Sequence, residues 1–136
     1  IANWQQHGGL YEKRLGWDRA RKMNPLKSII DSTRIIAFGS DCMPVGPLYG
    51  IYGAMKHSCI YERLEFKEAL WAYTYGSAYS VFKESHLGVI SRRYEASFIV
   101  LKLRPNNISP DNVVKAKILS FVKCGRIVFD FGALRC

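Results

Sequence analysis

Four apolar residues in a row, Ile35-Ile36-Ala37-Phe38, two of them β-branched, read as a short strand buried on both faces. The run stops at Gly39-Ser40-Asp41 and Pro44, which a strand interior would reject, so a loop follows. Beyond Pro44, Gly46 and Pro47 the apolar positions change period to Leu48, Ile51, Tyr52, Met55 and Cys59, the spacing of an amphipathic helix. The pattern predicts a strand-loop-helix unit over residues 35–58. Its loop carries one acidic side chain, Asp41, at the carboxyl end of the strand, where α/β folds place ligands and catalytic groups.

Around this unit the pattern is weaker at first. Residues 1–9 are polar, hold two consecutive glycines and read as a loop or a cut end. A short helix is predicted over 18–22, and Asn24-Pro25 supplies a cap and a first-turn proline for a helix through Leu26, Ile29 and Ile30. Residues 64–75 predict a helix with Phe66, Ala69, Leu70 and Tyr73 buried, and with Glu65, Lys67 and Glu68 outward or capping. Gly76 is expected to interrupt it, and Ser77 to cap a second short helix that ends near Gly88. From Val89 the period is two. Strands are predicted over 96–103 and 113–122, the latter with Lys115 and Lys117 alternating against apolar neighbours, and Lys123-Cys124-Gly125-Arg126 is a tight turn back into 126–131. The shift from α/β units to an antiparallel tail suggests two regions divided near Gly88.

Composition narrows the class. With 136 residues and 49% apolar, the chain can hold one core and no second full domain. It opens at Ile1 and reads as a piece of a longer polypeptide or a processed product. No run approaches the roughly 20 apolar residues of a membrane-spanning helix, and no secretory signal is visible, so a cytoplasmic setting is expected. Cys42, Cys59, Cys124 and Cys136 lie far apart without a Cys-x-x-Cys pair, which indicates neither a zinc ribbon nor a redox motif. The formal charge of +9 is high, but its lysines and arginines are scattered and form no block of five or six, so nucleic acid is not the expected partner.

The order of these signals resembles the carboxyl-terminal portion of the metal-dependent amidohydrolase superfamily, in its amidohydrolase family 3 branch. Phe38-Gly39-Ser40-Asp41 with Pro44 matches the end of the family's last barrel strand. In the same order come Leu15-Gly16, Arg19-Ala20 and Asn24-Pro25 before it, then Pro47-Leu48, Ile51-Tyr52, Glu68-Ala69-Leu70, Ala72-Tyr73-Thr74 and Ala78-Tyr79 after it. Leu87-Gly88-Val89-Ile90 resembles the turn into the family's small β-sandwich, and Val122, Gly125 and Val128 its final hairpin. The chain departs from the family at residues 92–97, where a glycine is lost and Ser97 stands in place of an aspartate.

The fold this resemblance implies is α/β plus β. Residues 1–88 would be the last βα unit and flanking helices of a TIM-type (β/α)8 barrel, and residues 89–136 part of a small antiparallel β-sandwich. A barrel needs eight βα units and typically about 250 residues, and one complete unit is visible here. A missing amino-terminal barrel segment, or a second copy of the chain, would cover the strand's open edges. The isolated chain is therefore expected to be inactive.

The activity implied is hydrolysis of amide or cyclic amide C–N bonds in a small-molecule substrate, through a water activated by a divalent metal, expected to be zinc. In this superfamily the aspartate after the last strand binds metal or takes the proton of the water, and that dual role carries over to Asp41. The family's metal-binding histidines have no counterpart in the chain. From the residues alone, Asp41 would instead cap the following helix. Cys42 and Met43 on the same loop are candidates for substrate contact, although packing under the helix is the favoured reading of the residues alone. His7, His57 and His86 are expected to be solvated rather than metal ligands. Tyr73, Tyr75, Tyr79 and Phe82 could offer a stacking platform, yet their helical spacing points to core. Lys115, Lys117 and Lys123 fit the solvent face of a hairpin. The alternative from another class is a non-catalytic basic α+β module that binds nucleic acid or a partner protein.

Overall fold

Leu26, Ile51, Ala54, Leu64, Ala69 and Val113 close into one apolar cluster, with Ile30, Ile36, Phe38, Leu48, Tyr73 and Leu103 packed around it. These residues come from both ends of a computed structural model that describes residues 4–33, 35–41 and 45–134. Among them helices α1 (Leu10–Leu15), α2 (Trp17–Ala20), α3 (Leu26–Thr33), α4 (Pro47–Met55), α5 (Phe66–Trp71) and α6 (Ser77–Ser80) precede strand β1 (Phe98–Lys102). Helix α7 (Pro110–Val114) and strands β2 (Lys117–Lys123) and β3 (Arg126–Asp130) follow. None of the described helices is long and apolar enough to cross a membrane.

Residues 35–40, expected as a strand, take no regular secondary structure and pair with no strand among the described residues. A helix holds them instead. The amide of Phe38 donates to the Ala72 carbonyl at 3.0 Å, and the Ser77 hydroxyl donates to the Phe38 carbonyl at 2.8 Å. Burial on both faces is not found: Ile35, Ile36 and Phe38 are half-buried and Ala37 is exposed, because only the side toward the core is covered.

The supporting helix does not break at Gly76. Glu65 and Glu68 form the expected capping box, α5 widens into a π-helical turn over Ala72–Gly76, and α6 continues from it. Gly76 keeps helical dihedrals, φ −58°, and the Ile36 carbonyl rests against its α-carbon in space a side chain would need. Ser77 therefore caps nothing; its hydroxyl goes to the carbonyls of Phe38 and Ala72. The buried stripe also differs, with Ala72 inside and Leu70 half out in solvent.

On the amino-terminal side, Asn24 adopts φ 51° and donates to the Gln5 side-chain oxygen rather than capping α3. The Ser28 amide of α3 is met by Glu62, at 3.0 Å, from a 3-10 turn over Ile60–Glu62. Lys27 bridges Asp31 and Glu68, tying α3 to α5. The sequence missed α1, and α2 begins one residue before the helix expected over 18–22.

Residues 113–116 are not strand. Ser109 caps α7, its hydroxyl accepting from the Asn112 amide at 3.3 Å, Pro110 occupies the first turn, and Val113 is fully buried in the core. Strand β2 starts only at Lys117. The three strands form an antiparallel sheet in the order β1-β2-β3. Its hairpin turn is as the sequence predicts, with Cys124 at φ 50° and Gly125 at φ 74°, the left-handed pair that a two-residue loop requires. Ser97 anchors that turn: its hydroxyl accepts from the Cys124 amide at 3.0 Å and contacts Glu95. Arg93, nearby, stands at φ 70°, a conformation suited to glycine.

Candidate functional site

Asp41 directly follows residues 35–40. It is exposed and takes φ 50°, a left-handed conformation that aspartate tolerates better than most residues. The reading of Asp41 as a helix cap is not supported. Helix α4 begins at Pro47 with Gly46 as its N-cap, and no side chain caps it. Among the described residues the Asp41 carboxylate makes no hydrogen bond or ion pair.

Its backbone, in contrast, is tied down on the side that leads into it. Phe38 is fixed by Ala72 and Ser77, and the Tyr73 hydroxyl reaches the Gly39 carbonyl at 3.5 Å. The Phe38 and Tyr73 rings meet edge-on, with centroids 5.4 Å apart. The two other residues expected at this loop, Cys42 and Met43, lie outside the described residues, as does Pro44.

The histidines are not gathered near Asp41. His7 is exposed, pairs with Glu12 at 2.7 Å and tilts against the Trp17 ring. The Gly8 amide and His7 together hold the Glu12 carboxyl below the usual glutamate range. His86 lies exposed after α6. His57 overturns the expectation of a solvated ring: it is 2% exposed, because the turn of residues 4–9 folds over it. Its Nδ1 accepts from the Cys59 amide at 3.0 Å, its Nε2 lies 3.1 Å from the Met23 carbonyl, and Gln5 packs against it. Gln5 itself, 2% exposed, donates to the carbonyls of Ala20 and Met23 and accepts from Asn24. Sequence reasoning missed this polar knot. Its only visible sign was a glutamine and a histidine among ordinary surface residue types.

Among the described residues no three His, Cys, Asp or Glu side chains come together. A catalytic metal needs roughly three protein ligands, so the described residues do not by themselves make such a centre. The aromatic ladder is more exposed than its spacing suggested. Trp71 and Tyr75 stack at 4.4 Å and Tyr79 continues the row, but Trp71, Tyr79 and Phe82 face solvent, while Tyr73 turns inward. Lys115, Lys117 and Lys123 are exposed as expected, although Lys115 follows α7 rather than sitting in a strand.

Comparison with known proteins agrees with the family resemblance. The Amidohydrolase family matches residues 1–129. The putative amidohydrolase YtcJ of Bacillus subtilis (strain 168) is 34% identical over 129 residues, covering 86% of this chain and 24% of the relative. Protein LONG AFTER FAR-RED 3 of Arabidopsis thaliana is 35% identical over 100 residues, 65% of this chain and 17% of the relative. An imidazolonepropionase of Kosmotoga olearia is 30% identical over 112 residues, 82% of this chain and 26% of the relative. The chain thus spans about a quarter or less of the length of these curated relatives. No solved structure matches it at a significant level. A family match over nearly the whole chain places this protein in the Amidohydrolase family.

Proposed function

We propose that this chain supplies one acidic group, Asp41, to an enzyme that hydrolyses amide or cyclic amide C–N bonds. What carries the reading is Asp41 itself: a carboxylate open to solvent in the left-handed conformation, at the end of a segment held from behind, in a chain of the Amidohydrolase family. The relatives support the bond class, since one is a putative amidohydrolase and another is named for imidazolone, a ring with C–N bonds.

In this reading residues 35–40 are a barrel strand. Its open sides are covered by further units, from the same polypeptide or from a second copy. The family is generally metal-dependent, and a divalent ion, expected to be zinc, would take its other donors from parts of the protein outside the described residues. Asp41 orients a water molecule and accepts its proton as the water attacks the carbonyl carbon of the scissile bond. The proton then passes to the departing nitrogen.

The test is Asp41→Asn in the complete product of the gene, assayed against a panel of linear and cyclic amides. Asparagine keeps the shape and tolerates the left-handed backbone, so the protein stays folded while turnover drops by about 100-fold or more. Turnover near that of the unsubstituted protein overturns the reading.

A further inference from the structure

The side chain of Tyr73 lies between the two ends of the Asp41 loop. On one side its hydroxyl reaches the Gly39 carbonyl at 3.5 Å and its ring meets Phe38, where the chain enters the loop. On the other side the hydroxyl rests against Gly50, in the first turns of α4, where the chain has just left the loop. A β-carbon on Gly50 would overlap the phenol.

That close approach explains two local oddities. Glycine inside a helix costs about 1 kcal/mol relative to alanine, and nothing in the helical φ/ψ of α4 asks for it; room for Tyr73 does. Tyr73 also sits in the π-helical turn over Ala72–Gly76. The wider turn changes the direction in which its residues point relative to a regular α-helix, and such turns recur at functional sites.

We infer that Tyr73 is a positioning residue that clamps both ends of the loop presenting Asp41, with Gly50 as its seat. Its use in catalysis rests on the role proposed for Asp41; the clamp itself does not. A carboxylate that must meet a water and a scissile bond gains from being held within a fraction of an ångström, and a side chain bridging both ends of the loop does this without touching the carboxylate.

Amide hydrogen exchange on the chain reads the clamp at residues 38–41 and 45–50. Gly50→Ala displaces the phenol and speeds exchange in both segments by about tenfold, whereas Tyr73→Phe, which removes only the hydroxyl, speeds both by about threefold. Adding Gly50→Ala to Tyr73→Ala speeds exchange no further, because the seat is already empty and alanine then only favours the helix. Exchange that rises in one segment alone, or that Tyr73→Phe leaves unaltered, overturns the clamp. In the complete gene product Tyr73→Phe lowers kcat by about tenfold with KM and melting temperature unchanged. An unchanged kcat overturns the positioning role. If Asp41→Asn leaves turnover intact, the functional reading falls, and the exchange data still decide for or against the clamp.

Discussion

The carbonyl oxygen of Ile36 lies where a β-carbon on Gly76 would have to stand. This contact seats residues 36–37 on their supporting helix. It also reverses an ordinary rule.

Gly76→Ala should destabilise the chain. In an unobstructed helix the change would stabilise by about 1 kcal/mol through propensity. Here the added methyl must push residues 35–38 off the helix, at a net cost of about 1–3 kcal/mol. Urea denaturation of the two proteins checks the sign. A variant as stable as the parent or more so would mean that the segment does not sit against Gly76.

Acid should loosen the β2–β3 hairpin through Asp130. The Ser120 hydroxyl, and behind it the amides of Ala133, Leu134 and Gly132, hold the Asp130 carboxyl below the ordinary value of 3.8 despite an opposing effect of burial. The folded value lies below the unfolded one, so the contribution to stability is complete above about pH 4 and is lost as the pH falls through the folded value. Ser120→Ala should flatten this acid limb in denaturation midpoints followed from about pH 6 to pH 2. An acid limb of the same steepness in the variant would assign the effect to other groups.

Arg93→Gly should stabilise the turn before β1. Arg93 is exposed at φ 70°, where a side chain is strained by roughly 1–2 kcal/mol. Glycine removes that strain and gives back part of it as entropy of the unfolded chain, which leaves a net gain of about 0.5–1 kcal/mol. Thermal melts of both proteins give the comparison, and a lower midpoint for Arg93→Gly would show that the arginine side chain makes a contact worth more than the strain.

What was legible in the sequence was what local chemistry dictates. Cys124-Gly125 announces its own turn, because few residue pairs accept two left-handed conformations in succession. Glu65 and Glu68 announce a helix start. What escaped depends on distant partners. Val113 looks like strand beside alternating lysines, but burial against α4 and the Ser109-Pro110 start win over its β-branched preference. Ser77 resembles a cap until the Phe38 carbonyl is in view. Tyr79 on α6 and Phe82 just past its end carry core-like spacing but face solvent, and Phe82 stands at φ 58°, outside the helix.

Gln5 has a practical consequence for anyone trimming the protein. A shortened form lacking the first nine residues would leave the Ala20 and Met23 carbonyls and the His57 ring lining a vacated hole. Water would flood it, and α2 and the foot of α4 would lose the plug that joins them. The polar stretch that looks most expendable is a wedge.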